Sequence, residues 1–194
     1  MKILTYNFKG GVGKTAISLN YALTENFGII SNDEYSSIHK VLPKEKVLKL
    51  SRNQDIPDLP DDYDVIFDLG GYPDKRAVSA LKSADVVLVP VVNEEEALRV
   101  TTSAIQEMQS YNENIIIIAN KITGKDLENI DKIIKNFFDF PIFPLKKSRI
   151  VDRVFQKKQS MRDISHSRSI FAYHAKPFSD QFDQIINFIN ENYK

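Results

Sequence analysis

The feature that most constrains the fold is an alternation of short β-branched runs with longer amphipathic stretches. The runs VVLVPV at 86–91 and IIIIAN at 115–120 offer no polar side to water, so they read as strands covered on both faces. KILTYN at 2–7, FGIIS at 27–31, KVLKL at 46–50, YDVIFD at 63–68 and FPIFPL at 140–145 add five further strands. Between them lie helical patterns at 15–26, 75–83, 95–111, 125–138, 150–163 and 178–192. Strands and helices alternating at this spacing make βαβ units, and right-handed crossovers place helices on both faces of a mostly parallel, twisted sheet. The expected architecture is therefore a three-layer α/β fold. A chain of 194 residues lies within the range of one domain, and the whole of 1–194 is read as one. The segment 55–64, DIPDLPDDYD, carries two prolines and five aspartates and reads as a surface loop.

Composition narrows the chemistry. The chain has no cysteine, which excludes a disulfide framework, a thiol nucleophile and any Cys-ligated zinc or iron–sulfur site. No apolar run approaches the ~18 residues of a membrane span, and the N-terminus enters a strand pattern directly, so a cytoplasmic location is expected. Lys+Arg and Asp+Glu balance at 26 each. That average hides an uneven distribution: 146–176 holds nine cations against Asp152 and Asp163, a net +7, which leaves −7 for the rest.

The most informative motif is Lys9-Gly10-Gly11-Val12-Gly13-Lys14-Thr15, between a strand and a helix. Glycines let backbone N–H groups curl around an anion, and the helix that follows aims its positive dipole end at it. Lys14 would reach the β- and γ-phosphates of a nucleotide, and the Thr15 hydroxyl would ligate Mg²⁺. The common phosphate loop has glycine where this chain has Phe8, and a second lysine, Lys9, stands beside that position.

KGGVGKT resembles the deviant Walker A signature of ParA/MinD-type ATPases, which have the P-loop NTPase fold. The resemblance implies an ATP and Mg²⁺ site built from Lys9, Gly10, Gly11, Val12, Gly13, Lys14, Thr15 and Ala16. It also implies a homodimer in which Lys9 reaches the phosphates bound by the other subunit. Ser31-Asn32-Asp33 matches the family's Asp-x-Asp, which makes Asp33 the residue that positions the attacking water; Ser31 stands where the first aspartate is expected. Asp68, ending an apolar strand, fits the Walker B role beside Thr15 in the metal shell. Gly70 and Gly71 fit a mobile switch that senses the γ-phosphate. Thr123 in Asn120-Lys121-Ile122-Thr123 argues against guanine specificity, and Asn120 either approaches the adenine or caps a turn.

The family includes several functions. The stretch 178–192 places Phe178, Phe182, Ile185, Ile186 and Ile189 on one side and has no Lys or Arg, so it is expected to pack on the sheet and not to lie on a membrane. The basic stretch gives two readings: a solvated helix face, or a phosphate-neutralising surface made of Lys146, Lys147, Arg149, Arg153, Lys157, Lys158 and Arg162. Arg149, Arg153, Lys157 and Lys158 recur near helical spacing, which could align them on one face; Arg149 could instead face the nucleotide. The expected function is an ATP-dependent DNA segregation ATPase, nucleoid-associated, working with a ParB-like adaptor. The alternatives are a MinD-like or cargo-positioning ATPase without DNA binding, and an ATP-dependent metabolic ligase.

Overall fold

The computed structural model describes residues 1–33, 36–60, 62–70 and 75–194. Seven strands form one sheet in the order β3-β2-β4-β1-β5-β6-β7. They are β1 Lys2–Thr5, β2 Gly28–Ser31, β3 Val47–Lys49, β4 Val65–Asp68, β5 Val86–Val91, β6 Ile115–Ile122 and β7 Ile142–Lys146. Every neighbouring pair is parallel.

The β-branched runs explain this arrangement, because their alternate residues feed two separate cores. Ile3, Ile29, Ile66, Leu88, Ile116 and Ile118 face one core, which is completed by α1 (Lys14–Glu25), α5 (Asp152–Lys157), α6 (Met161–His166) and α7 (Ile170–Tyr193). Leu4, Ile30, Phe67, Val87, Val89 and Ile117 face the other, under α2 (Lys75–Ser83), α3 (Glu95–Met108) and α4 (Asp126–Lys135). The α/β three-layer expectation thus holds, with a sheet that is wholly parallel among the described residues.

Two helices differ from the pattern-based reading. The single helix expected at 150–163 is two helices. Lys158 closes α5 with a left-handed φ of 56°, and Ser160 then opens α6 through a capping box: its hydroxyl accepts the Asp163 N–H while the Asp163 carboxylate accepts the Ser160 N–H. A cap that satisfies two orphan donors outcompetes helix continuation. The last helix starts at Ile170, ahead of the expected 178, and carries Pro177 inside it. Its expected apolar face is buried: Phe178, Phe182, Ile185, Ile186 and Ile189 are all in the core.

The topology reverses at β1, which has β4 on one side and β5 on the other. In open parallel sheets the crevice at such a point, beyond the carboxyl ends of the strands, is where ligands bind.

Candidate functional site

At the carboxyl end of β1 the chain does not continue as a strand, because Asn7 and the glycines turn it into a loop that leads to α1. Asn7 is buried and fully engaged. Its amide donates to the Pro90 carbonyl and the Thr101 hydroxyl, both at 2.8 Å, and its oxygen accepts the Lys9 N–H at 2.9 Å. Phe8, where the common motif has glycine, sets its ring edge-on to Tyr6 at 5.7 Å and packs on the core. Val12 points away from the crevice into a small apolar cluster with Val92 and Ala97.

Two further side chains hold the loop from β6. Asn120 donates to the Val12 carbonyl at 2.7 Å and accepts the Lys121 N–H at 2.9 Å. Lys121, at a bulge with φ 57°, sends its ammonium to the Gly11 carbonyl at 2.8 Å. Gly13, φ 99°, caps α1 in a conformation that L side chains rarely adopt, and a Cβ there would collide with the Asn120 amide. Its glycine identity is therefore required twice.

The loop faces a crevice of about 600 Å³ lined by Gly10, Gly11, Gly13, Lys14, Thr15 and Ala16 on one wall and by Asn32, Asp33 and Gly70 on the other, with Asp68 between them. Lys14 donates to the Lys9 carbonyl at 3.0 Å, and burial lowers its pKa, an effect partly offset by the nearby Asp68 charge. Asp68 is buried at the end of β4 and accepts hydrogen bonds from Thr15 and Ser18, the latter at 3.2 Å. Burial pushes its carboxyl up to about 6 against the pull of Thr15, Ser18 and Lys14, and Asp33 adds a like charge. Ser31, at the position of the first family aspartate, is buried and accepts the Asp33 N–H at 3.2 Å. Asp33 itself is exposed on the rim.

This donor set fits a nucleotide with its metal. Backbone N–H groups and Lys14 suit phosphate oxygens. Among the described residues no cluster of three or more His, Asp or Glu could hold a metal alone. The Thr15 hydroxyl and Asp68 carboxylate are what Mg²⁺ uses when most of its shell comes from phosphates and water.

Several contacts around the crevice fall outside the pattern-based reading. Lys9 stands at the edge of the loop with its ammonium 3.0 Å from the Glu96 carboxylate at the start of α3. Phe155 of α5 also lines the crevice. Asn32 and Gly70 make a reciprocal pair: the Asn32 oxygen accepts the Gly70 N–H at 3.0 Å, and the Asn32 amide donates to the Gly70 carbonyl at 3.2 Å. Gly71, read with Gly70 as part of a switch, lies outside the described residues.

The basic stretch does not form one helical stripe. Arg149 precedes α5 and Lys158 ends it. Lys146, Lys147, Arg149 and Arg153 line a groove of about 810 Å³ together with Tyr173 and Lys176, so Arg149 belongs to this groove and is not among the residues lining the crevice. Arg153 covers the Phe171 ring at 3.4 Å, and Lys157 borders an adjoining hollow. Arg162 is a correction. Its guanidinium is committed to Glu25 at 3.1 Å and Asp183 at 2.9 Å, so it ties α6 to α1 and α7 and is not among the cations that line the groove.

No family model matches the chain, and no curated protein matches it by sequence. Solved structures match it over nearly its whole length. The ATP complex of a McdA variant from Cyanothece is 13% identical, with 95% of each chain covered and a TM-score of 0.68. The septum site-determining protein MinD from Pyrococcus horikoshii OT3, complexed with Mg-ADP, is 16% identical, with 95% of each chain covered and a TM-score of 0.64. A ParA family ATPase from Chlorobium tepidum TLS is 16% identical over 89% of this chain and 96% of that one, with a TM-score of 0.58. With a seven-stranded parallel sheet, its crevice at the β1 reversal and these neighbours, the chain has the fold of the ParA/MinD-type ATPases.

Proposed function

We propose that this protein is an ATPase that dimerises on ATP and segregates DNA. The observation that carries the reading is the convergence of Gly10, Gly11, Gly13, Lys14, Thr15 and Asp68 on one crevice. The loop N–H groups and Lys14 bind the β- and γ-phosphates, and Thr15 and Asp68 hold the metal. Bound Mg²⁺ supplies charge neutralisation across the phosphate oxygens. Asp33, on the opposite rim, orients the attacking water. Lys9 leaves Glu96 and completes the site of a second subunit, where a cation stabilises charge on the transferring phosphoryl group.

The groove containing Lys146, Lys147, Arg149 and Arg153 gives the dimer a sequence-independent surface for DNA phosphates. Hydrolysis then separates the subunits and releases the DNA, on a cycle set by a ParB-like adaptor. The neighbouring fold of the septum site-determining protein MinD favours one other reading, a positioning ATPase that carries protein cargo without DNA. Both share the ATP cycle and part at the groove.

Light scattering and filter binding test this. With Mg–ATP the protein is expected at twice its 22.2 kDa mass; Lys9→Ala is expected to stay monomeric. Replacing Lys147 and Arg149 with Ala is expected to reduce the slope of log affinity against log salt by about 0.9 for each DNA phosphate that is no longer neutralised. A normal dimer and normal hydrolysis in Lys9→Ala would remove the trans role. Unchanged DNA retention in the groove variant would leave the cargo-positioning reading.

A further inference from the structure

We infer that Asn32 sets the preference of this site for a nucleoside triphosphate over a diphosphate, by competing with the terminal phosphate for one backbone N–H. The inference rests on the nucleotide reading above and extends it to Asn32, the unspecified middle position of the Asp-x-Asp match. β2 and β4 run parallel with Ser31 opposite Asp68. Beyond that pair the ladder ends, and the Asn32 carboxamide takes over as a surrogate peptide, pairing both polar groups of Gly70 at 3.0 and 3.2 Å.

Gly70 also lies against Lys14: a Cβ built on it would sit 3.9 Å from the Lys14 Cε. Gly70 therefore borders the part of the crevice that Lys14 serves, and its N–H is the donor offered to a triphosphate's third phosphate, which a diphosphate lacks. In this structure that donor is spent on Asn32. A phosphate oxygen is a charged acceptor and outbids a neutral carboxamide oxygen for the same N–H. Binding a triphosphate thus has to open the pair, while binding a diphosphate leaves it closed. The apparent triphosphate affinity is reduced by the closed fraction.

The test is the ratio of the Kd for Mg–ADP to that for Mg–AMPPNP, measured by calorimetry on the full chain. In Asn32→Ala the ratio is expected to rise roughly two- to fivefold, the net worth of a neutral hydrogen bond, through AMPPNP alone, with the ADP Kd moving less than twofold. In Asn32→Asp it is expected to fall below wild type, because the carboxylate keeps the Gly70 N–H and repels the terminal phosphate. Opposite shifts in the two variants cannot arise from a general loosening of the loop. A ratio unchanged in both, or ADP and AMPPNP affinities that move together, would overturn the role of Asn32 and leave the nucleotide site standing. A wild-type protein that binds neither nucleotide would overturn both.

Discussion

The two walls of the crevice are built by different means. The phosphate loop is braced from beneath by Asn7, Asn120, Lys121 and the buried Val12, through interactions that reach three other strands and helices. The facing wall, where β2 and β4 end, has the carboxamide of Asn32 across it, on exposed backbone. Buried amides whose partners are also buried hold a fixed geometry, because leaving either member unpaired is costly. An exposed pair can exchange its partner for water or ligand at little cost. One wall is therefore preorganised for an anion, and the other is free to respond to it.

Substitutions can break this contrast. The largest effect is expected from Gly13→Ala, which forces a φ of 99° on a residue with a Cβ and drives that Cβ into Asn120. Strain of about 1–3 kcal/mol and a displaced loop should weaken Mg–ADP binding by roughly 100-fold; calorimetry reads the affinity and thermal unfolding the strain. Asn120→Ala should cost about 1–3 kcal/mol in denaturant unfolding, because it leaves the Val12 carbonyl and the Lys121 N–H without their partner.

Asp68, between the walls, gives a pH-dependent test. Its folded pKa of about 6 lies above the ordinary 3.8 because of burial, so the folded state binds this proton more tightly than the unfolded one. That stabilisation is complete below about pH 4 and lost as pH rises through about 6. Asp68→Asn keeps an oxygen for the Ser18 hydroxyl without the charge. Ligand-free, it should be more stable than wild type by roughly 1–3 kcal/mol at pH 7.5, with the difference closing by pH 4 in parallel urea titrations. The smallest effect is expected on the responsive wall. Asn32→Ala removes the same carboxamide group as Asn120→Ala but should cost about 1 kcal/mol or less, since water reaches Gly70.

The contrast also explains what could be read from the chain alone. The phosphate loop was legible because its residues are consecutive, and the strands because runs such as Ile115 to Ile118 are apolar on both faces. The pairings that shape the two walls were not, because Asn7, Asn32 and Asn120 find their partners at sequence separations of 83, 38 and 108. Arg162 looked like one more surface cation for the same reason: Glu25 and Asp183 are distant in sequence. The break at 158–160 did have a local signal, the Ser160-x-x-Asp163 capping box, which the helical spacing of the surrounding cations obscured.

The most direct measurement is calorimetric titration of the protein with Mg–AMPPNP, beside Lys14→Ala. One nucleotide per chain, with affinity lost in Lys14→Ala by two orders of magnitude or more, in line with losing a preorganised charge-stabilising donor (~10²–10³), is the expected result. No binding by the wild type, or equal binding by Lys14→Ala, would contradict a nucleotide site in this crevice.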